Sequence, residues 1–103
     1  MFVPTPSLLR VEISSFQTSM ADTYGQRDRE RGIASSMAWL VEEVGELAQA
    51  VRKGDDRQRL HELGDVLAWL ASIADQLGLS LDEAAGRYAS GCPRCTSSPC
   101  ECP

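Results

Sequence analysis

The sequence predicts an all-α fold, a bundle of four helices. Three observations carry that expectation. Apolar residues recur every three or four positions over two long stretches, glycines and capping residues punctuate those stretches, and nothing alternates with the two-residue period of a strand or closes on a hairpin signal.

The first helix is expected from near Ser7 to about Gly25: Pro4 and Pro6 break the opening residues, and Leu8, Leu9, Val11, Ile13, Phe16 and Met20 then fall at helical intervals. Gln26 to Gly32, QRDRERG, is polar and charged and reads as a connector or as a solvated helix start. A second helix is expected from Ile33 to Lys53, where Met37, Val41, Val44, Ala48 and Val51 form a stripe and Gly54 supplies a stop. Asp55 and Asp56 offer an N-cap and negative charge to a third helix, whose stripe of Leu60, Leu63, Leu67, Leu70, Ala74 and Leu77 ends at Gly78. Ser80 followed by Glu83 has the form of a capping box and opens a short fourth helix, Leu81 to Ala89, stopped by Gly91. The remaining CPRCTSSPCECP has no aliphatic residue to pack and reads as a separate tail, which divides the chain into a helical domain, 1–90, and a Cys/Pro-rich segment, 91–103.

Composition narrows the function. A chain of 103 residues is near the small end at which one core stabilises itself comfortably, so self-association is expected to complete the core. No apolar run reaches the length of a bilayer span, and the first residues have no basic segment leading into an apolar one, so the expected location is the cytoplasm, away from any membrane. A net charge of −5 argues against a nucleic-acid partner, which requires a basic surface.

The informative stretch is WLVEEVGELAQAV, Trp39 to Val51. On a helix Glu43 and Glu46 are i, i+3 neighbours with Glu42 at their edge, while Val41, Val44 and Ala48 point elsewhere. In the third helix Glu62 and Asp65 repeat the i, i+3 spacing. The short link around Gly54 forces the two helices to run antiparallel, which brings the two acidic pairs level. Helix glutamates are ordinarily a solvated face, but two acidic pairs placed symmetrically about a tight turn repel strongly unless they protonate or share a cation. Hard divalent ions with oxygen ligands answer that, Mg²⁺ first and Mn²⁺ second. A di-iron bundle would need Glu-x-x-His on two helices, and the single histidine, His61, reads as an exposed helix residue. Trp39 and Trp69 each stand four residues from an acid of these pairs, on the acidic face, where they would either pack the core or stack a nucleobase.

Glu42-Glu43-Val44-Gly45-Glu46, followed after fifteen residues by Glu62-Leu63-Gly64-Asp65, resembles the EExxE and ExxD signature of the MazG-like, all-α nucleoside triphosphate pyrophosphohydrolases, relatives of dimeric dUTPases and dCTP pyrophosphatases. The likeness runs from about Leu8 to Tyr88, through WLVEEVGEL, ELGDVLAWLA and GLSLDEAAGRY. It implies a four-helix MazG-like bundle working as a homodimer or homotetramer, Mg²⁺ held by Glu43, Glu46, Glu62 and Asp65, and Glu42 orienting or deprotonating the attacking water. The implied reaction is hydrolysis between the α- and β-phosphates of a (deoxy)nucleoside triphosphate, a nucleotide-pool house-cleaning activity. Arg52, Lys53 and Arg87 are candidates for the phosphate tail, although Arg52 and Lys53 also suit the negative end of their helix. Many relatives continue past the last helix with a lysine and an asparagine that touch phosphates, whereas this chain reads Arg87-Tyr88-Ala89-Ser90-Gly91.

Cys92, Cys95, Cys100 and Cys102 provide four thiols, enough for a Zn²⁺ site within or between chains; disulfides and a flexible or redox-sensitive tail are the alternatives. The second function class compatible with the residues is a non-catalytic helical interaction module whose tail recruits a partner.

Overall fold

The computed structural model describes residues 10–103, with α1 over Ile13–Arg31, α2 over Ile33–Lys53, α3 over Asp56–Leu77 and α4 over Leu81–Gly86. There is no strand among the described residues. The predicted helix start near Ser7, with Leu8 and Leu9, lies outside them, and among the described residues the first helix opens at Ile13.

Of the segment read as a connector or a solvated helix start, Gln26 to Arg31 is instead the last part of α1, and only Gly32 connects. The helix continues past Gly25 because an Asp28–Arg31 ion pair at 3.0 Å, one turn apart, supports it, and Arg29 and Arg31 face the negative end of its dipole. It stops at Gly32, whose φ of +91° is open to glycine and costly for other residues. That single residue is the whole link to α2.

The bounds of α2 agree with the expected Ile33 to Lys53. A two-residue turn follows, Gly54-Asp55, and it is closely built. Asp55 accepts from the Gln58 N–H at 2.9 Å while the Gln58 side chain accepts from the Asp55 N–H at 2.8 Å, a reciprocal capping box that opens α3. From α3, Arg59 donates to the Ala50 and Val51 carbonyls at 3.0 and 3.1 Å, satisfying the end of α2. A Cβ on Gly54 would stand 2.8 Å from the Ala50 carbonyl oxygen, so the turn closes only on glycine. Helices α2 and α3 therefore pack side by side as an antiparallel hairpin.

Helix α1 lies across α3 and is tied to it by Arg29–Asp75 at 3.5 Å. Gln17 bridges to the α3–α4 link, donating to the Leu79 carbonyl at 2.7 Å and accepting from the Leu81 N–H at 2.8 Å. Ser80 caps α4 by accepting from the Glu83 N–H at 3.1 Å. The helix ends at Gly86 rather than at Ala89, and residues 87–90 continue as turns.

The core is small and made of small residues: Ala50, Ala71, Ile73 and Ala74, with Ser36 and Ser72 also buried. Ser36 accepts from Gln76 at 2.8 Å, which joins α2 to α3. Of the apolar stripes that announced the helices, only Ala74 enters this core. Met37, Val41, Val44 and Val51 on α2, and Leu60, Leu63 and Leu67 on α3, are exposed. The acidic faces turn inward toward each other instead.

Candidate functional site

The α2–α3 hairpin sets its acids level, as two acidic pairs placed symmetrically about the Gly54 turn require. Carboxylate oxygens of Glu43, Glu46 and Glu62 lie within 4.8 Å of one another, and the same holds for Glu62 and Asp65 with a His61 nitrogen. Glu43, Glu62 and Asp65 are half-buried, Glu46 exposed. One oxygen of Glu43 and one of Glu62, Oε2 in each, is buried with no hydrogen-bond partner. A buried carboxylate oxygen without a donor is costly, and a proton or a cation at this cluster would relieve that cost.

The electrostatics are consistent with that. Burial pushes the Glu43 carboxyl up to about 7, and the neighbouring acids Glu46, Asp65 and Glu62 act in the same direction. Near neutral pH the cluster resolves its repulsion by keeping a proton at Glu43 or by accepting a cation.

His61 is exposed, as expected, but it also reaches the site: its Nε2 stands 3.2 Å from Asp65 Oδ2. The i, i+4 spacing of the two residues carried that signal. Glu42 is exposed and stands outside the groups of converging acids among the described residues.

Trp39 and Trp69 do not fill the core. Their rings stack on each other with centroids 5.9 Å apart and planes 5° from parallel, and Trp39 keeps 43% of its surface exposed. The Arg31 guanidinium lies over Trp69, 5.1 Å from the ring centroid.

Two cavities flank the acids. One, about 250 Å³, is lined by Trp69, Asp65, Tyr24, Arg27, Asp28 and Arg31. The other, about 430 Å³, is lined by Glu46 and Glu62 together with Lys53, Gln49 and Gln58. Lys53 is thus beside the acids, whereas Arg87 borders neither cavity and rests over the Tyr88 ring at 5.6 Å. Arg52 is exposed and borders neither. The contribution of α1 went unread in the sequence. Asp28 is buried and paired with Arg31, and the only local clue was their i, i+3 spacing in a segment that reads as a connector.

The four cysteines come together at the other notable cluster. The Cys92 and Cys102 sulfurs are 3.7 Å apart, those of Cys95 and Cys100 3.9 Å apart, and every pair among the four lies within 4.8 Å. Backbone N–H groups of Glu101 and Ser97 hold the Cys95 thiol down at about 6, while the neighbouring sulfurs, Cys100 first, push the Cys102 thiol up to about 11.

Residues 31–91 match the family model of the MazG nucleotide pyrophosphohydrolase domain. No match was found among curated proteins. The matched span contains both acidic pairs and all of α2, α3 and α4.

Proposed function

Because the chain belongs to the MazG nucleotide pyrophosphohydrolase family, we propose that it hydrolyses (deoxy)nucleoside triphosphates to the monophosphate and pyrophosphate with Mg²⁺, or Mn²⁺ in its place. The observation that supports this reading is the buried, unpartnered oxygen on each of Glu43 and Glu62, two acids whose carboxylates converge from the two helices of the hairpin. An all-oxygen, carboxylate-rich donor set suits hard divalent ions, so the residues fit the metal, with Glu43, Glu46, Glu62 and Asp65 as its ligands. When bound, the ion supplies positive charge that neutralises the phosphate oxygens and activates the α-phosphate toward water.

The chain's own side chains account for the rest. Glu42, exposed and next in sequence to Glu43, orients or deprotonates the attacking water. Lys53 meets the phosphate tail in the larger cavity. The exposed ring of Trp39 and the Trp69 wall of the smaller cavity provide flat surfaces for the base, with Tyr24 and Arg31 alongside. Stacking tolerates any base, so selection among bases falls to polar groups such as Arg27, Arg31 and Asp28.

The test is pyrophosphate release from canonical and modified nucleoside triphosphates with Mg²⁺, with Mn²⁺ and with EDTA. Metal-dependent release that leaves the monophosphate supports the reading. A folded, metal-supplied protein that releases none from any of them would overturn it in favour of a non-catalytic helical module.

A further inference from the structure

We propose that Cys92, Cys95, Cys100 and Cys102 of a single chain close a structural tetrahedral Zn²⁺ site that folds residues 91–103 into a metal-held knuckle. Four thiolates around Zn²⁺ with bonds of about 2.3 Å place their sulfurs about 3.8 Å apart along each tetrahedral edge. The separations of 3.7 and 3.9 Å match that edge, and no pair exceeds 4.8 Å. All four donors come from within eleven residues of one chain, so no second copy is needed to complete the set.

The segment has a shape that its composition cannot sustain. Thirteen residues without an aliphatic side chain have no core to bury, and segments of this kind are held by metals or disulfides. Yet the loop is closed: the Cys92 N–H donates to the Ser97 carbonyl at 3.0 Å, and the Thr96 N–H donates to the Cys92 carbonyl at 2.7 Å. Thr96 adopts a φ of +60°, a left-handed conformation that a β-branched residue adopts only when its surroundings dictate it. Gly91 at φ +97° completes the turn, with no room for a Cβ beside the Ser97 carbonyl.

Groups around the sulfurs suit thiolates. The Glu101 N–H points at Cys95 Sγ and the Cys102 N–H at Cys100 Sγ, each at 3.4 Å, the outer-shell donors that orient metal-bound sulfur and disperse its charge. Binding is an exchange without redox: each thiol gives its proton to solvent as its sulfur joins the metal. With four protein ligands no position stays open for water, which makes the site structural rather than catalytic.

The experiment uses the full chain, purified under reducing conditions without chelator. Elemental analysis is expected to find one zinc per chain, and replacement by Co²⁺ should produce the intense visible bands of tetrahedral cobalt with thiolate charge transfer in the near ultraviolet. Cys95→Ser combined with Cys100→Ser should abolish both while the far-ultraviolet helix signal persists. Glu43→Gln, which alters only the acidic site, should leave both unchanged. Iron in place of zinc, no tetrahedral thiolate bands on cobalt addition, zinc retained one per chain by the double variant, no zinc taken up by the reduced chain, or a non-reduced mass short of two hydrogens per sulfur pair would each overturn the proposal.

Discussion

At Glu43, folding and the proposed function pull in opposite directions. Its carboxyl, ordinarily near 4.5, titrates at about 7 in the folded chain because burial and neighbouring acids disfavour its charge. The folded state therefore binds this proton more tightly than the unfolded one, and the associated stability is full below about 4.5 and lost as pH rises through about 7. Metal-free protein should melt at a lower temperature at pH 8 than at pH 5, and Glu43→Gln should remove most of that difference. A melting temperature that rises between those pH values in the wild type, or an equal fall in both proteins, would contradict the assignment. The same substitution should lower pyrophosphate release by about 10- to 100-fold or more, since even the outer partners of a metal site are felt over that range. For the indoles, nucleotide addition should quench tryptophan fluorescence. Trp69→Ala should raise KM by about 10-fold, one stacked base being worth about 1–3 kcal/mol; an unchanged KM would place the base elsewhere.

Among the elements, α2 was legible to the residue because an apolar period, a glycine stop and basic residues in the last turn all agreed. Helix α1 was not. It is polar on nearly every side, its midpoint holds Gly25, and what extends it to Arg31 is an ion pair and packing on α3 rather than any apolar period. With that helix misread, Asp28 and Arg31 could not be placed beside the acids. The acidic pairs themselves were readable, since positions counted outward from Gly54 depend only on helix geometry and a short turn. The apolar stripes could be found but their partner could not: periodicity identifies a face and does not say what covers it. Gly54 controls the register of the hairpin. Gly54→Ala should cost about 1–3 kcal/mol, within the range for single changes that strain a packed backbone, and should also depress turnover by shifting the acids. A urea midpoint equal to wild type would show that the turn relaxes around the methyl group.

For the molecule as a whole, the unburied stripes matter most. Val41 keeps 65% of its surface and Leu60 67%, on helices whose inner faces are acidic and small. A small domain working alone in water seldom leaves so much apolar surface bare, and the prediction is that a second copy of the chain covers it. Sedimentation should find a dimer or tetramer, and Val44→Asp with Leu63→Asp should reduce it to a monomer that keeps its helices. A wild-type monomer at micromolar concentration would defeat this expectation. The hairpin carries one more consequence. Its four acids span only Glu43 to Asp65, so they are close in sequence and meet as soon as two helices zip from one turn. Their mutual repulsion is therefore felt early, on the way up the folding barrier rather than only after it. Divalent ions in a refolding buffer should quicken the folding limb of the chevron as well as slow the unfolding limb, so that a cation taken up there would act as an assembly factor before any turnover begins.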